Sequence, residues 1–305
     1  MHLETPLLRS AALSAHIGAD VWLKMETAQP TGSFKVRGIG ALCAHLKSRG
    51  ATHLVSSSGG NAGCAAAWCG RQLELQVTVV VPSTTPDWMQ RRIEREGADV
   101  VVHGAVWDEA HQLALEMASA PEAGLVHPFD HPLIWDGHAT LIEEAARGMK
   151  APGAVVVAVG GGGLLAGVLL GMERSGWRDV PVLAVETEGA ASFRAAMQVG
   201  VPVDIGAIGT IAKSLGARTV SLGALELAIE HGVRPWTVTD KAALSACRRF
   251  LDDHRVLVEP ACGAALSAIY DRAAPLGAFD SVLVVVCGGQ GVTMAQMRSW
   301  EESLG

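Results

Sequence analysis

The sequence predicts an α/β fold whose sheets are mostly parallel and covered by helices on both faces. Three observations point there. Short apolar, β-branched runs alternate with helical patterns along the chain. Several of those runs, such as SVLVVV at 281–286, are apolar without interruption, as in strands buried on both faces. Hydrophobic residues make up 49% and charged residues 18% of 305 positions, which supplies a substantial core and argues against disorder. The length fits two lobes or one large unit.

The elements follow in chain order. A Gly-Ser turn at 32–33 leads into a helical pattern of Val36, Ile39, Leu42 and Leu46, with Ser33 as its N-cap and Lys35 in its first turn. Residues 53–57 read as a strand, 61–73 as a helix and 76–81 as a strand. Residues 86–97 form a helical pattern with proline near its start and glycine at its end. A strand at 98–102, a helix at 106–118 and a helix at 132–149 come next. From Ala151 to Met172 there are 22 residues without a charge, the length of a membrane span. Pro152 and seven glycines, four of them consecutive at 160–163, break that pattern. A strand at 154–159, a glycine turn and a helix from about 164 are expected instead. Strands at 182–186 and 281–286 and helices at 190–199, 220–230, 240–253 and 259–272 complete the pattern. Such alternation implies right-handed crossovers. No linker or repeat interrupts it, so the chain is expected to pass between lobes more than once.

Charge and cysteine usage narrow the partners. Thirty-one acidic against 24 basic residues give a net charge of −7, which disfavours nucleic acid and anionic membrane. The basic residues are 18 Arg and 6 Lys, so each lysine can be considered singly. Six cysteines lie at 43, 64, 69, 247, 262 and 287 with no C-x-x-C, mostly in apolar settings. The N-terminus MHLETPLLRS carries an early acid and no long apolar stretch, unlike a secretory signal. A cytoplasmic protein with reduced thiols is expected.

Four segments could carry chemistry. In PTGSFKVRG at 30–38, Lys35 at a helix start opposes the macrodipole, and Phe34 adds desolvation. Both push the amine towards neutrality, where it attacks carbonyls. Taken singly, a surface lysine fits that position as well. In SSSGGNAG at 56–63, amides and hydroxyls at a helix N-terminus suit a carboxylate, and Asn61 offers a neutral donor. A plain tight turn is an even alternative. Gly160–Gly163 follow a strand, where successive N–H groups can wrap a phosphate. No Lys-Ser/Thr follows, so this is not a Walker loop. Four glycines in a row are costly in chain entropy for a purely structural turn. Finally, Cys287 in VCGGQG ends a strand, the side on which open α/β sheets bind ligands. His127, His131 and His138 are too far apart, across Pro128 and Pro132, to form a compact metal set. His138 reads as structural, Lys213 as a surface lysine, and Arg91, Arg92 and Arg95 as a solvated helix face.

Together these segments resemble the fold-type-II pyridoxal phosphate (PLP) enzymes. The likeness is strongest to the L-serine/threonine dehydratases of the mammalian serine dehydratase and serine dehydratase-like types. The residues that carry it are PTGSFKVRG (30–38), SSGGNAG (57–63), VPSTTP (81–86) and PLIWDGHA (132–139). VGGGGLLAGV (159–168), VEPACGAAL (258–266) and VVCGG (285–289) complete the match. The resemblance implies a tryptophan synthase β-like fold of two open, twisted, mostly parallel sheets. It implies a small domain at 34–130 and a large PLP-binding domain at 1–33 and 131–305. Lys35 matches the catalytic, cofactor-bearing lysine, and Phe34 the residue packed on the pyridine ring. Gly160, Gly161, Gly162, Gly163 and the Leu164 amide match the phosphate cup. Asn61 matches the ring-hydroxyl contact, and Ser58, Gly59 and Asn61 the substrate-carboxylate loop. Cys287 matches the pyridine-nitrogen partner. Glu186, Ser192 and the carbonyls of Ala190, Leu215 and Ala217 match a monovalent-cation site, for K⁺.

The resemblance further implies an amino-acid substrate, α,β-elimination to a 2-oxo acid and ammonia, and a homodimer. Two positions depart from the family pattern. Gly59 stands where the mammalian serine dehydratase type carries Ala, matching the serine dehydratase-like relative instead, and Gln290-Gly291 replaces the Ser-Asn or Asn-Asn pair of those relatives. With the sequence ending at Gly305, the regulatory domain of biosynthetic threonine deaminases is not expected. Other readings are serine racemisation or β-replacement, a non-catalytic PLP-binding protein, and a nucleotide-binding α/β protein. Gly59 offers no side chain as the second proton donor that racemisation needs.

Overall fold

The uninterrupted apolar runs become the central strands of two separate sheets. The computed structural model describes the backbone of residues 1–305 and every side chain except that of Ala274. The strands are β1 (Leu7–Arg9), β2 (Asp20–Met25), β3 (His53–Ser56), β4 (Gln76–Val81), β5 (Asp99–Val102), β6 (Ala123–Val126), β7 (Ala154–Ala158), β8 (Val182–Thr187), β9 (Arg234–Val238) and β10 (Ser281–Val286). Between them run helices α1 (Ala11–Ile17), α2 (Lys35–Ser48), α3 (Asn61–Gln72), α4 (Asp87–Arg95), α5 (Trp107–Ala118), α6 (Pro132–Gly148), α7 (Gly163–Arg174), α8 (Ser192–Val199), α9 (Leu222–His231), α10 (Asp240–His254), α11 (Pro260–Tyr270) and α12 (Met294–Leu304).

One sheet has the order β1-β2-β10-β7-β8-β9 and the other β5-β4-β3-β6. Every pairing is parallel except that of β1 with β2. All of β7 and nearly all of β10 is buried, as expected of strands covered on both faces. The larger core packs α1, α7, α10 and α11 on the six-stranded sheet, and a second joins α2, α3 and α4 to the four-stranded sheet. No described helix is long and apolar enough to cross a membrane.

The expected elements between 53 and 286 form, with ends shifted by one or two residues in most. Two details need correction. Ser33 is not the N-cap of α2: Phe34, already in helical backbone, holds that place, and Ser33 Oγ only approaches the Lys35 amide at 3.4 Å. Pro86 stands just outside α4 rather than in its first turn.

Helix α6 is the spine that positions the site, because glycines let its backbone touch α2 and α7. A side-chain carbon at Gly38 would lie 2.4 Å from the Ile134 carbonyl oxygen, and one at Gly137 2.5 Å from that of Arg37. At Gly171 the carbon would lie 2.5 Å from the Ala139 oxygen. A buried ionic cluster reinforces the join. Arg37 reaches Glu26 at 2.7 Å and Glu144 at 2.6 Å, and Lys24 reaches Glu144 at 2.5 Å. Two cations face two carboxylates, so the buried charge sums to zero. Burial opposes ionisation, but the bonds from Arg37 and Lys24 hold the Glu144 carboxyl below its usual range.

Candidate active site

Lys35 is placed by the end of β10. Ser33 bridges Gly288, the Phe34 amide donates to the Cys287 carbonyl at 3.2 Å, and the Gly289 amide to that of Gly32 at 2.9 Å. Lys35 then opens α2, with its side chain directed into the fold. Its Nζ donates to the Pro128 carbonyl at 2.5 Å and lies 5.2 Å from the centroid of the Phe34 ring. Burial lowers the amine from 10.5 to about 8, although nearby Cys287 and Glu259 oppose the shift. The bland surface-lysine reading does not hold.

Gly160–Gly163 link β7 to α7. Among the described residues, the N–H groups of Gly160, Gly161, Gly162, Gly163 and Leu164 find no acceptor. The glycines are also sterically required. A Cβ at Gly161 would lie 2.5 Å from the Phe129 ring, and one at Gly163 2.5 Å from the Phe129 carbonyl oxygen. Gly162 takes φ +93°, which aims the following amides at the helix start.

Residues 57–61 form the matching turn between β3 and α3. The N–H groups of Ser58, Gly59, Gly60 and Asn61 have no acceptor among the described residues. The hydroxyls behave differently from expectation. Ser57 Oγ turns away to His111 Nδ1 at 2.8 Å, and buried Ser56 Oγ has no partner. Amides therefore make this cradle, with partly buried Ser58 the serine left beside it. Gly59 abuts Thr85: an added Cβ would meet Thr85 Oγ1 at 2.5 Å.

Asn61 is held from three sides. Its Nδ2 donates to Glu259 Oε1 at 2.8 Å and lies 3.3 Å from Ser214 Oγ, while Oδ1 accepts the Gln290 amide at 2.7 Å. Glu259 is the residue that sequence reasoning quoted, in VEPACG, but gave no role. Its other oxygen accepts the Gly291 amide at 2.8 Å. A Cβ at Gly289 would lie 2.0 Å from Glu259 Cδ, so the glycines after β10 make room for this carboxylate. Burial raises the Glu259 carboxyl above its usual range. Gln290, a departure from the family pattern, also binds the Thr31 carbonyl through its side chain, tying the Lys35 turn to the Asn61 loop. Cys287 is buried at the end of β10. The neighbouring Cys262 thiol and burial both raise its pKa, so it stays a neutral thiol.

The proposed cation ligands fall in two groups. Glu186 and Ser192 meet at the start of α8, where the Glu186 oxygens accept the Phe193 and Arg194 amides, each at 2.8 Å. Ser192 Oγ is buried without a partner, and Ala190 is buried beside it. Leu215 and Ala217 lie on another loop, where Leu215 packs on Gly160. No hydrogen bond joins the two groups among the described residues. His138 is structural: it is buried, accepts the Gly38 amide at 3.2 Å and meets Phe34 edge-on.

A desolvated lysine, an anion cradle of bare amides and a second amide turn, mounted on two parallel sheets, define an α/β enzyme for a phosphorylated carbonyl cofactor and a small acid. The chain matches, over residues 2–288, the model of the family described as pyridoxal-phosphate dependent enzyme, and it belongs to that family. It is 51% identical to the mouse serine dehydratase-like protein, covering 100% of this chain and 95% of that one. It is 46% identical to human L-serine dehydratase/L-threonine deaminase, covering 100% and 96%. The solved L-serine ammonia-lyase of the fungus Rhizomucor miehei superposes with a TM-score of 0.94 at 37% identity, covering 99% and 98%. The fold is thus fold-type-II. The residues fit pyridoxal phosphate: the five unpaired amides suit its phosphate, and Gly161 and Gly163 have no space for side chains.

Proposed function

We propose that the protein is a PLP-dependent L-serine and L-threonine dehydratase, an ammonia-lyase that yields pyruvate or 2-oxobutanoate and ammonia. The observation that carries this reading is the Lys35 amine, desolvated to about 8 and held against Pro128. When bound, the cofactor supplies an electron sink for the substrate Cα. The chain's own groups do the rest. The Gly160–Leu164 amides hold the phosphate, and Phe34 packs on the ring. The turn formed by Ser58, Gly59 and Asn61 holds the substrate carboxylate. Lys35 Nζ, with an unprotonated fraction near neutral pH, takes the Cα proton. The β-hydroxyl leaves as water, its added hydrogen balanced by the proton taken from Cα, and the released enamine takes up water to give the 2-oxo acid and ammonia. Cys287, a neutral thiol, places no negative charge against the ring nitrogen, which favours elimination over transamination.

We assign Glu186, Ser192 and the carbonyls of Ala190, Leu215 and Ala217 to K⁺; the partnerless Ser192 hydroxyl supports this. The reading extends to a small domain of 34–130, a large domain of 1–33 and 131–305, and a cytoplasmic homodimer in amino-acid catabolism that feeds gluconeogenesis. The test is 2-oxo acid release from L- and D-serine and threonine, with and without K⁺, in the wild type and Lys35→Ala. L-isomer turnover that vanishes in Lys35→Ala along with the cofactor's visible band supports the reading. Full activity in that variant refutes it. Racemisation without 2-oxo acid, or cofactor binding without turnover, would favour the alternatives.

A further inference from the structure

The segment 127–130, which follows β6, touches both the Lys35 amine and the glycine cradle. The Pro128 carbonyl receives Lys35 Nζ at 2.5 Å. Phe129 lies under Gly161 and Gly163, and its carbonyl accepts Trp135 Nε1 at 2.9 Å. Asp130 Oδ1 accepts the Ser221 hydroxyl at 2.6 Å, while the Ser221 amide donates to the Gly161 carbonyl at 3.1 Å. One side chain closes this segment into a turn. His127 Nδ1 accepts the Asp130 amide at 2.8 Å and lies 3.3 Å from the Phe129 amide.

We propose that His127 is a positioning residue: by taking the Phe129 and Asp130 amides on Nδ1, it fixes the turn that sets Pro128 against the Lys35 amine and Phe129 beneath the glycine cradle. The claim rests on Lys35 being the cofactor-bearing base. No hydrogen bond joins His127 to Lys35 or to Gly160–Gly163 among the described residues. His127 acts through the Pro128 carbonyl, which gives the Lys35 amine a fixed acceptor whenever that amine is free, and through the Phe129 ring, which sets the cradle's shape.

The geometry requires a lone pair on Nδ1, hence a neutral ring protonated at Nε2. Its surroundings supply this. Burial first, then His111, Lys35 and His131, lower the His127 pKa to about 4, and only Asp130 opposes them. The His111 ring stands edge-on to it at 5.5 Å and is itself lowered by burial. Asn or Asp at this position can make the same two bonds, because such side chains accept amides two and three residues on. Leu cannot, and Gln is too long to close the turn.

The test compares His127→Leu, His127→Gln, His127→Asn and His127→Asp as holoenzymes. Leu and Gln should lower kcat about tenfold or more and weaken cofactor retention, as the loss of a buried hydrogen-bond pair does. Asn should restore both. Asp should restore cofactor retention but move the acid limb of the kcat/KM profile upward by about half a unit or more, since a carboxylate near Lys35 favours the ammonium. Besides position 127, the groups facing Lys35 are Cys287, Glu259 and His138, and these are unchanged in every variant. If Leu matches wild type, or Asn is as impaired as Leu, the proposal is overturned. Should His127→Leu fail to fold, the contrast of Gln with Asn decides. Lys35→Ala separates the two claims: if it is inactive while the His127 series is flat, only this inference fails.

Discussion

Replacing Lys35 by Met should stabilise the cofactor-free protein at neutral pH. The folded state lowers this amine from 10.5 to about 8, so the unfolded chain binds the proton more tightly. At roughly 1.4 kcal/mol per unit, holding a charged Lys35 in the fold costs about 3 kcal/mol below pH 8. Met removes that cost but leaves the Pro128 carbonyl without its donor, a loss of about 1 kcal/mol. A net gain of about 2 kcal/mol remains at pH 7. The sign of the pH dependence follows. Between about 8 and 10.5 the unfolded chain holds more protons than the folded one, so wild-type stability rises with pH and the advantage of Met shrinks. Above 10.5 both forms of Lys35 are neutral, and Met should be no better. Urea unfolding of both cofactor-free proteins at pH 7 and pH 10 measures this directly. A Met variant less stable than wild type at pH 7 would show that the amine is not desolvated, and the reasoning would fail.

Other substitutions probe the rest of the site. Gly161→Ala would place a carbon 2.5 Å from the Phe129 ring, about 1 Å inside ordinary contact, and should weaken cofactor binding about tenfold, with Phe129→Leu partly restoring it in absorbance titrations. Arg37→Met leaves the buried Glu26 charge with only the neutral Thr5 and Gln29 donors, and Glu144 with Lys24, the Thr5 amide and nearby His2. It should lower the thermal midpoint by roughly 10 °C in calorimetry, two residues away from the base. Glu259→Gln sets an amide donor against either Asn61 Nδ2 or the Gly291 amide. It should raise KM for the amino acid about tenfold in steady-state assays.

The sequence revealed the elements whose burial is simple and concealed those whose burial is not. SVLVVV is legible because every residue goes into the core. Strand β2 is not, because DVWLKM carries Lys24, whose burial depends on bonds to the Thr5 carbonyl and to Glu144, 120 residues away. Strand β9 contains Pro235, tolerable only because β9 lies at a sheet edge. Helix α12 has one buried residue, Met297, and so no marked stripe. In the site, the glycine runs and Lys35 stood out by local pattern. Glu259, Gln290 and His127 did not, since each acts through partners that only the folded chain brings near. That the Ser57 hydroxyl turns away from the 57–61 turn was hidden for the same reason: it answers to His111, on a different helix.

The two anion cradles belong to different sheets, and that separation explains the polar contacts between them. The glycine cradle follows β7 of the six-stranded sheet, and the substrate turn follows β3 of the four-stranded one. Bringing them together brings a phosphate and a carboxylate together, which repel. Direct ion pairing across the gap would trap one of those anions. Asn61 avoids this: it belongs to the substrate turn, yet its amide bonds Glu259 and the Gln290 backbone of the other sheet without adding charge. In the proposed reading two helix N-termini would face the two anions, and Lys35 opens a third helix with its amine lowered to about 8. The joint between the two sheets thus rests on an uncharged amide set against one buried carboxylate, and that same carboxylate faces the desolvated Lys35 amine.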